Sequence, residues 1–181
     1  MSLYEAFSSL QDPRRAQGRR ITLPSLLSIC VLGYLCGYRG YRGIARFGNA
    51  HSELLCEKFG LSHGIPSYVT FREVLQKFPD TALISAFTGW IEGFSLPQGS
   101  WLAGDGKVLG STVSSSQSSA QNFTSVVTLF AQESGIAHRI STYQNKEKGQ
   151  GEQACLRHLL QELKGMGAII TADALHAQKK R

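Results

Sequence analysis

The hydrophobic period of this chain changes once, at Leu96-Pro97-Gln98-Gly99, and that change constrains the fold more than any other feature. Before it, apolar residues recur at helical spacings of three and four. After it come short runs rich in β-branched and aromatic residues, with a single amphipathic segment among them. The chain therefore reads as α+β, with a helical domain over residues 1–96 and a mixed-sheet domain over residues 97–181. With 42% apolar and 18% charged residues, there is enough apolar side chain for real cores, and a disordered chain is excluded.

In the helical part, no charge falls between Ile21 and Tyr38, which raises the question of a membrane span. Thr22, Pro24, Ser25, Ser28, Gly33 and Gly37 argue against one. Leu23, Leu26, Leu27, Cys30, Val31 and Leu35 follow helical spacing on one side, as a core helix requires. The first twenty residues carry charges throughout and lack an apolar signal core. A second helix is expected from about Tyr41 to Asn49, and a third from Ser52 to Gly60. Thr70-Phe71-Arg72-Glu73 has the form of a capping box opening a helix that buries Phe71, Val74, Leu75 and Phe78. Asp80 is expected to cap a helix burying Leu83, Ile84, Phe87, Ile91 and Phe94. Segments 52–60 and 70–78 raise a helix-turn-helix reading. Their connection is longer than that motif uses, and a plain helical packing unit fits better.

In the second part, strands are expected at Trp101–Asp105, Phe123–Phe130 and Ile136–Tyr143. Leu156, Leu159, Leu160 and Leu163 mark an amphipathic helix closed by Gly165 and Gly167. A final apolar strand, Ala168–Ala172, has the character of one covered on both faces. The order is β-β-β-α-β, and a helical crossover can return the fourth strand parallel to the first. Gly110–Ala120 is a serine-rich loop of low complexity, expected to be mobile.

That order sets Asp105 and Asp173 side by side, each after an apolar stretch expected to be buried. A carboxylate there needs a metal, a cation or hydrogen bonds. Two carboxylates converging from distant segments are a usual seat for Mg²⁺ or Mn²⁺ acting on phosphate. Lys107 either touches a DNA phosphate or pairs with a neighbouring acid. His176 either orients a phosphate near the metal or is a surface or capping group.

The formal net charge is +6, and its distribution says more than its size. Between Asp12 and Glu53 there is no acid, while Arg14, Arg15, Arg19, Arg20, Arg39, Arg42 and Arg46 all fall there. Arginine suits forked contacts with phosphate, so the block reads as a DNA-binding surface, with a solvated face as the alternative. Cys30, Cys36, Cys56 and Cys155 lack metal-ligand spacing and read as reduced thiols of a cytoplasmic protein.

Three stretches, GDGKVLGS, KEKGQGE and ITADALHAQKK, resemble motifs of the DDE transposases of bacterial insertion sequences. The branch in question includes the H-repeat-associated proteins of Rhs elements. DPRRAQGRRITLPSLLSI, YRGIARFGNA and PSYVTFREVLQKF resemble that family's opening and its associated helical domain. The resemblance implies an RNase-H-like sheet that cuts and joins DNA with Mg²⁺ during transposition, with transposon ends as the partner. It carries Asp105 and Asp173 into the first two catalytic acid positions, and Glu147, Lys148 and Glu152 into a KSNE-type stretch. The chain departs from the pattern where Leu109 meets Gly110 directly and where KGQGE replaces the usual run. The third acid of the family lies beyond position 181, so the resemblance implies a truncated catalytic domain, weak metal binding and an open sheet edge inviting homo-oligomers. Two functions follow as expectations: a DDE transposase inactive on its own, or a non-enzymatic DNA-binding remnant that regulates transposition.

Overall fold

Ser2-Leu3-Tyr4-Glu5 forms a capping box that starts a helix unforeseen in the hydrophobic pattern, α1 (Leu3–Ser8). The Ser2 hydroxyl accepts from the Glu5 N–H at 3.2 Å, and the Glu5 carboxylate accepts from the Ser2 N–H at 2.6 Å. The structure, a computed structural model, describes residues 1–94, 96–109, 112, 123–144, 151–163, 165 and 167–173. Among these are seven α-helices, one 3-10 turn and a four-stranded mixed sheet, the α+β arrangement expected. Two compact units divide the chain, Met1–Trp90 and Ile91–Arg181.

In the first unit, α2 (Leu23–Leu35) begins at Thr22, whose side chain accepts from the Ser25 N–H, with Pro24 in the first turn. It stops short of Tyr38, and Leu35, expected inside, is 78% exposed because the helix ends there, past the last core layer. No described helix is long and apolar enough to cross a membrane. Next come α3 (Gly40–Ala50) and α4 (Ser52–Phe59), the latter ended by Gly60 in the left-handed region at φ +63. α5 (Tyr68–Lys77) is capped at Ser67, so the Thr70–Glu73 box does not open the helix but falls inside it. α5 packs mainly against α3, which favours a packing unit over a helix-turn-helix pair with α4. α6 (Asp80–Ile91) ends before Phe94, which is exposed rather than in the expected stripe. Leu26, Ile29, Ile44 and Phe71 are wholly buried in the core of this unit.

In the second unit, β1 (Trp101–Val108), β2 (Thr124–Ala131), β3 (Ile136–Gln144), α7 (Glu152–Glu162) and β4 (Ile169–Ala172) follow in chain order. The sheet order is β3-β2-β1-β4. β1–β2 and β2–β3 pair antiparallel, and β4 returns parallel to β1, as the crossover argument expects. Leu102, Val127, Leu129, Leu156 and Leu159 form the core between the sheet and α7. β4 departs from expectation. It is an edge strand, and Ile169, Thr171 and Ala172 are exposed because α7 covers only one face.

Candidate functional site

Alternate residues of β1 face opposite sides of the sheet. Leu102 is fully buried against the α7 core. A Cβ at Gly104 would lie 2.9 Å from Leu156 Cδ1, and one at Gly106 would lie 2.7 Å from Glu152 Cγ and Oε1. These even-numbered positions therefore face α7, and the two glycines let the helix lie close to the strand. Sequence reasoning weighed the aspartate between them and missed their role, although Gly-Asp-Gly within a strand was a signal of close backbone approach.

The odd-numbered residues Trp101, Ala103, Asp105 and Lys107 face away from α7. β1 and β4 pair through Leu102↔Ile170, Ala103↔Thr171 and Gly104↔Ala172. The pairing ends there, and Asp105 and Asp173 are the residues that directly follow its last pair. Adjacent strands lie about 4.8 Å apart, so the backbones carrying the two acids leave the sheet next to one another. Across β2, Asp105 is opposite Thr128.

Both aspartates are exposed, and the apolar stretch before Asp173, expected to be buried, is itself exposed at Ile169, Thr171 and Ala172. Asp105 is on the face away from α7, and Asp173 lies just past the end of an edge strand. Lys107 is exposed two residues along the same face. Trp101, Ile169 and Phe130 are 46%, 43% and 41% exposed, and their registers set them on this same face, Trp101 and Ile169 four residues before the acids.

Glu152 begins α7 over Gly106, so its carboxylate is on the opposite side of β1 from Asp105. Among the described residues, no group of three or more His, Cys, Asp or Glu side chains could hold a metal. His176, Glu147 and Lys148 lie outside the described residues, as does the loop Gly110–Ala120 except Thr112.

The arginine block divides into two kinds. Arg14 is turned inward: it donates to both oxygens of Asp12, at 3.0 and 2.7 Å, and to the carbonyls of Gly18 and Ile21 at 3.2 and 2.8 Å. Arg19 donates to the carbonyls of Arg14 and Asp12 at 2.9 and 3.1 Å. Both brace the loop they belong to, and their donors are largely taken. Arg15, Arg20, Arg39 and Arg46 are exposed and have no hydrogen-bond or ion-pair partner among the described residues. Arg42 lies over the Tyr68 ring at 5.0 Å, and one turn along α3 Arg46 shares its exposed side.

Burial alone would push the Asp12 carboxyl up, but hydrogen bonds from Arg14 and the charges of Arg14 and Arg19 outweigh it and hold the carboxyl below its ordinary value. A depressed folded-state pKa stabilises the fold above the unfolded carboxyl's range and is lost as pH falls through the folded value. Asp12→Asn is therefore expected to lower the urea midpoint at pH 7. The gap to wild type should begin to narrow below about pH 4, where the unfolded carboxyl protonates, and close only below the lower folded value. A gap that persists undiminished in acid would contradict this role for Asp12.

Residues 4–91 match the family described as DDE_Tnp_1-associated. The chain is 34% identical over 109 residues to an uncharacterized protein in the dhlA 3' region of Xanthobacter autotrophicus, covering 57% of this chain and 36% of that one. It is 26% identical over 179 residues to the putative protein YbfL of Escherichia coli K12, covering 98% of this chain and 46% of that one. The chain thus spans less than half the length of these curated relatives. No solved structure matches it. Residues 4–91 of this chain thus match a DDE transposase-associated region.

Proposed function

We propose that this chain is part of a DDE-type DNA transposase, in which the helical unit binds transposon ends and the sheet contributes two acids to a strand-cutting site. The observation that supports the reading is the parallel β1–β4 pairing, whose last pair, Gly104↔Ala172, directly precedes Asp105 and Asp173. The sheet order, with β4 parallel to β1 and the other pairs antiparallel, fits an RNase-H-like catalytic domain beginning near residue 97. The transposase-associated family over residues 4–91 supports the same reading from the other half of the chain.

Two carboxylates form a hard oxygen donor set of the kind Mg²⁺ or Mn²⁺ prefers, and two alone hold such an ion weakly. A divalent cation there supplies Lewis acidity to a phosphate oxygen and lowers the pKa of bound water. Asp105 and Asp173 would hold it, and a third ligand, as in the family resembled, would come from further sequence. Lys107 would meet a non-bridging phosphate oxygen. Exposed Arg15, Arg20, Arg39, Arg42 and Arg46 would neutralise backbone phosphates and fix the duplex, with Arg14 and Arg19 holding the loop that presents two of them. His176 would contribute near the acids. The open β4 edge and the apolar face favour self-association, and the protein would act in the cytoplasm.

A second reading, a non-enzymatic DNA-binding regulator, is favoured by the want of a third metal-binding side chain among the described residues. Duplex binding in chelator tests what the two readings share. Replacing Arg15, Arg39 and Arg46 together by Gln should weaken binding and reduce the slope of log affinity against log salt by about 3. An unchanged affinity would remove the DNA-binding role. Metal-dependent nicking by a longer protein containing these residues separates the enzyme from the regulator.

A further inference from the structure

Between the braced arginine loop and the connection from α4 to α5 lies a cavity of about 330 Å³. Its floor is apolar: Ile21 and Leu61 are buried, and Ile65 and Pro66 are half-buried. Its rim is polar, with Arg20 and His63 exposed at the mouth and Thr70, in the first turn of α5, on one side. Neither Arg20 nor His63 has a hydrogen-bond or ion-pair partner among the described residues. An apolar floor ringed by a few unengaged polar groups is the usual form of a small-ligand site.

The rim is also held in advance. Arg14 donates to the carbonyls of Gly18 and Ile21, on either side of Arg20. On the far wall, Gly48 of α3 lets Ile65 pack closely, since a Cβ there would meet Ile65 Cγ2 at 2.6 Å. A preformed site loses little freedom on binding.

We propose that this cavity receives a single unpaired nucleotide of a DNA strand, the base against Ile65, Pro66 and His63 and the phosphate against Arg20. This rests on the DNA-binding reading above and deepens it by naming a site for one nucleotide within the helical unit. The volume suits a base with its sugar rather than a bare anion, for which the apolar floor would have no use. A free guanidinium at the mouth matches a phosphate by forked hydrogen bonds. Histidine and apolar side chains are suitable stacking surfaces for an unstacked base.

The test is an NMR titration of the whole 181-residue chain with 5'-dAMP, deoxyadenosine and inorganic phosphate, beside duplex binding by fluorescence anisotropy. The expected result is that dAMP binds with a Kd of about 1 mM or tighter and shifts the amides of Gly64, Ile65 and Thr70. Arg20→Gln should weaken dAMP at least tenfold and leave deoxyadenosine unchanged. Thr70→Phe, checked for folding by its melting curve, should abolish both by filling the cavity. Inorganic phosphate producing the same shifts as dAMP would overturn the proposal in favour of a plain anion site. No dAMP shifts with duplex binding intact would overturn it and leave the DNA-binding reading standing. No binding of any DNA form would overturn both.

Discussion

Replacing either Asp105 or Asp173 by Asn, in a full-length protein containing these 181 residues, is expected to abolish DNA strand cleavage without lowering DNA affinity. Each substitution keeps size and hydrogen bonding but removes one of the two charges that follow the last pair of the β1–β4 ladder. A divalent cation supplies several kcal/mol of stabilisation to the charge that develops on a phosphate during displacement. Losing that stabilisation corresponds to roughly 10³-fold in rate. Both acids are exposed and neither contributes to a core, so the variants should fold normally. Nicking of a supercoiled plasmid measures the rate, and a melting curve controls for folding. Cleavage that survives in both variants would remove the sheet from the chemistry.

The second large effect is on stability and concerns Arg139 of β3. Its side chain is only 7% exposed, yet it carries a charge between Glu92 and Glu162. Nη2 donates to Glu92 at 3.1 Å, Nη1 donates to the His138 carbonyl at 2.9 Å, and Nε lies 3.5 Å from Glu162. Nη1 is also 3.0 Å from His138 Nδ1. Burial, and then the Arg139 charge, hold the His138 pKa below its ordinary value, so a neutral ring can accept there.

The two sides of this network are unequal. Glu92 and Glu162 remain 57% and 43% exposed, whereas the guanidinium has left water. The double variant Glu92→Gln with Glu162→Gln leaves a buried cation without its counter-charges, and should cost about 3 kcal/mol. Arg139→Met removes the buried charge and returns two half-solvated carboxylates to water, and should cost only about 1 kcal/mol. Urea unfolding of the three proteins gives the order. Arg139→Met as the more damaging change would contradict it.

Periodicity disclosed the element types well, because long amphipathic segments and β-branched runs carry their own signal. The element order was enough to bring β4 beside β1, since a helical crossover leaves few alternatives. α1 escaped because six residues are too few to show a period, although its Ser2–Glu5 box was present in the sequence. The start of α5 was misread because Ser67 and Thr70 both suit a cap. The earlier start wins and carries Tyr68 under Arg42, a contact invisible in the sequence.

The site was legible as a pair of residues and illegible in its surroundings. An apolar run before an acid suggests burial, but which face a residue takes depends on where α7 lies, and that is set by Gly104 and Gly106. The arginine block was read as one surface. The structure turns Arg14 inward and engages the still exposed Arg19 because Asp12 and four loop carbonyls offer them better partners than water. Composition cannot separate an arginine that braces a loop from one that faces solvent.

The central claim is that Asp105 and Asp173 together form a seat for a divalent cation. Titrating Mn²⁺ into the ¹⁵N-labelled chain and following paramagnetic broadening tests it most directly. The amides of Gly104–Lys107, of Thr128 across the ladder and of Ala172 should broaden first. Replacing both aspartates by Asn should remove the effect. Broadening centred elsewhere, or unchanged in the double variant, would contradict it.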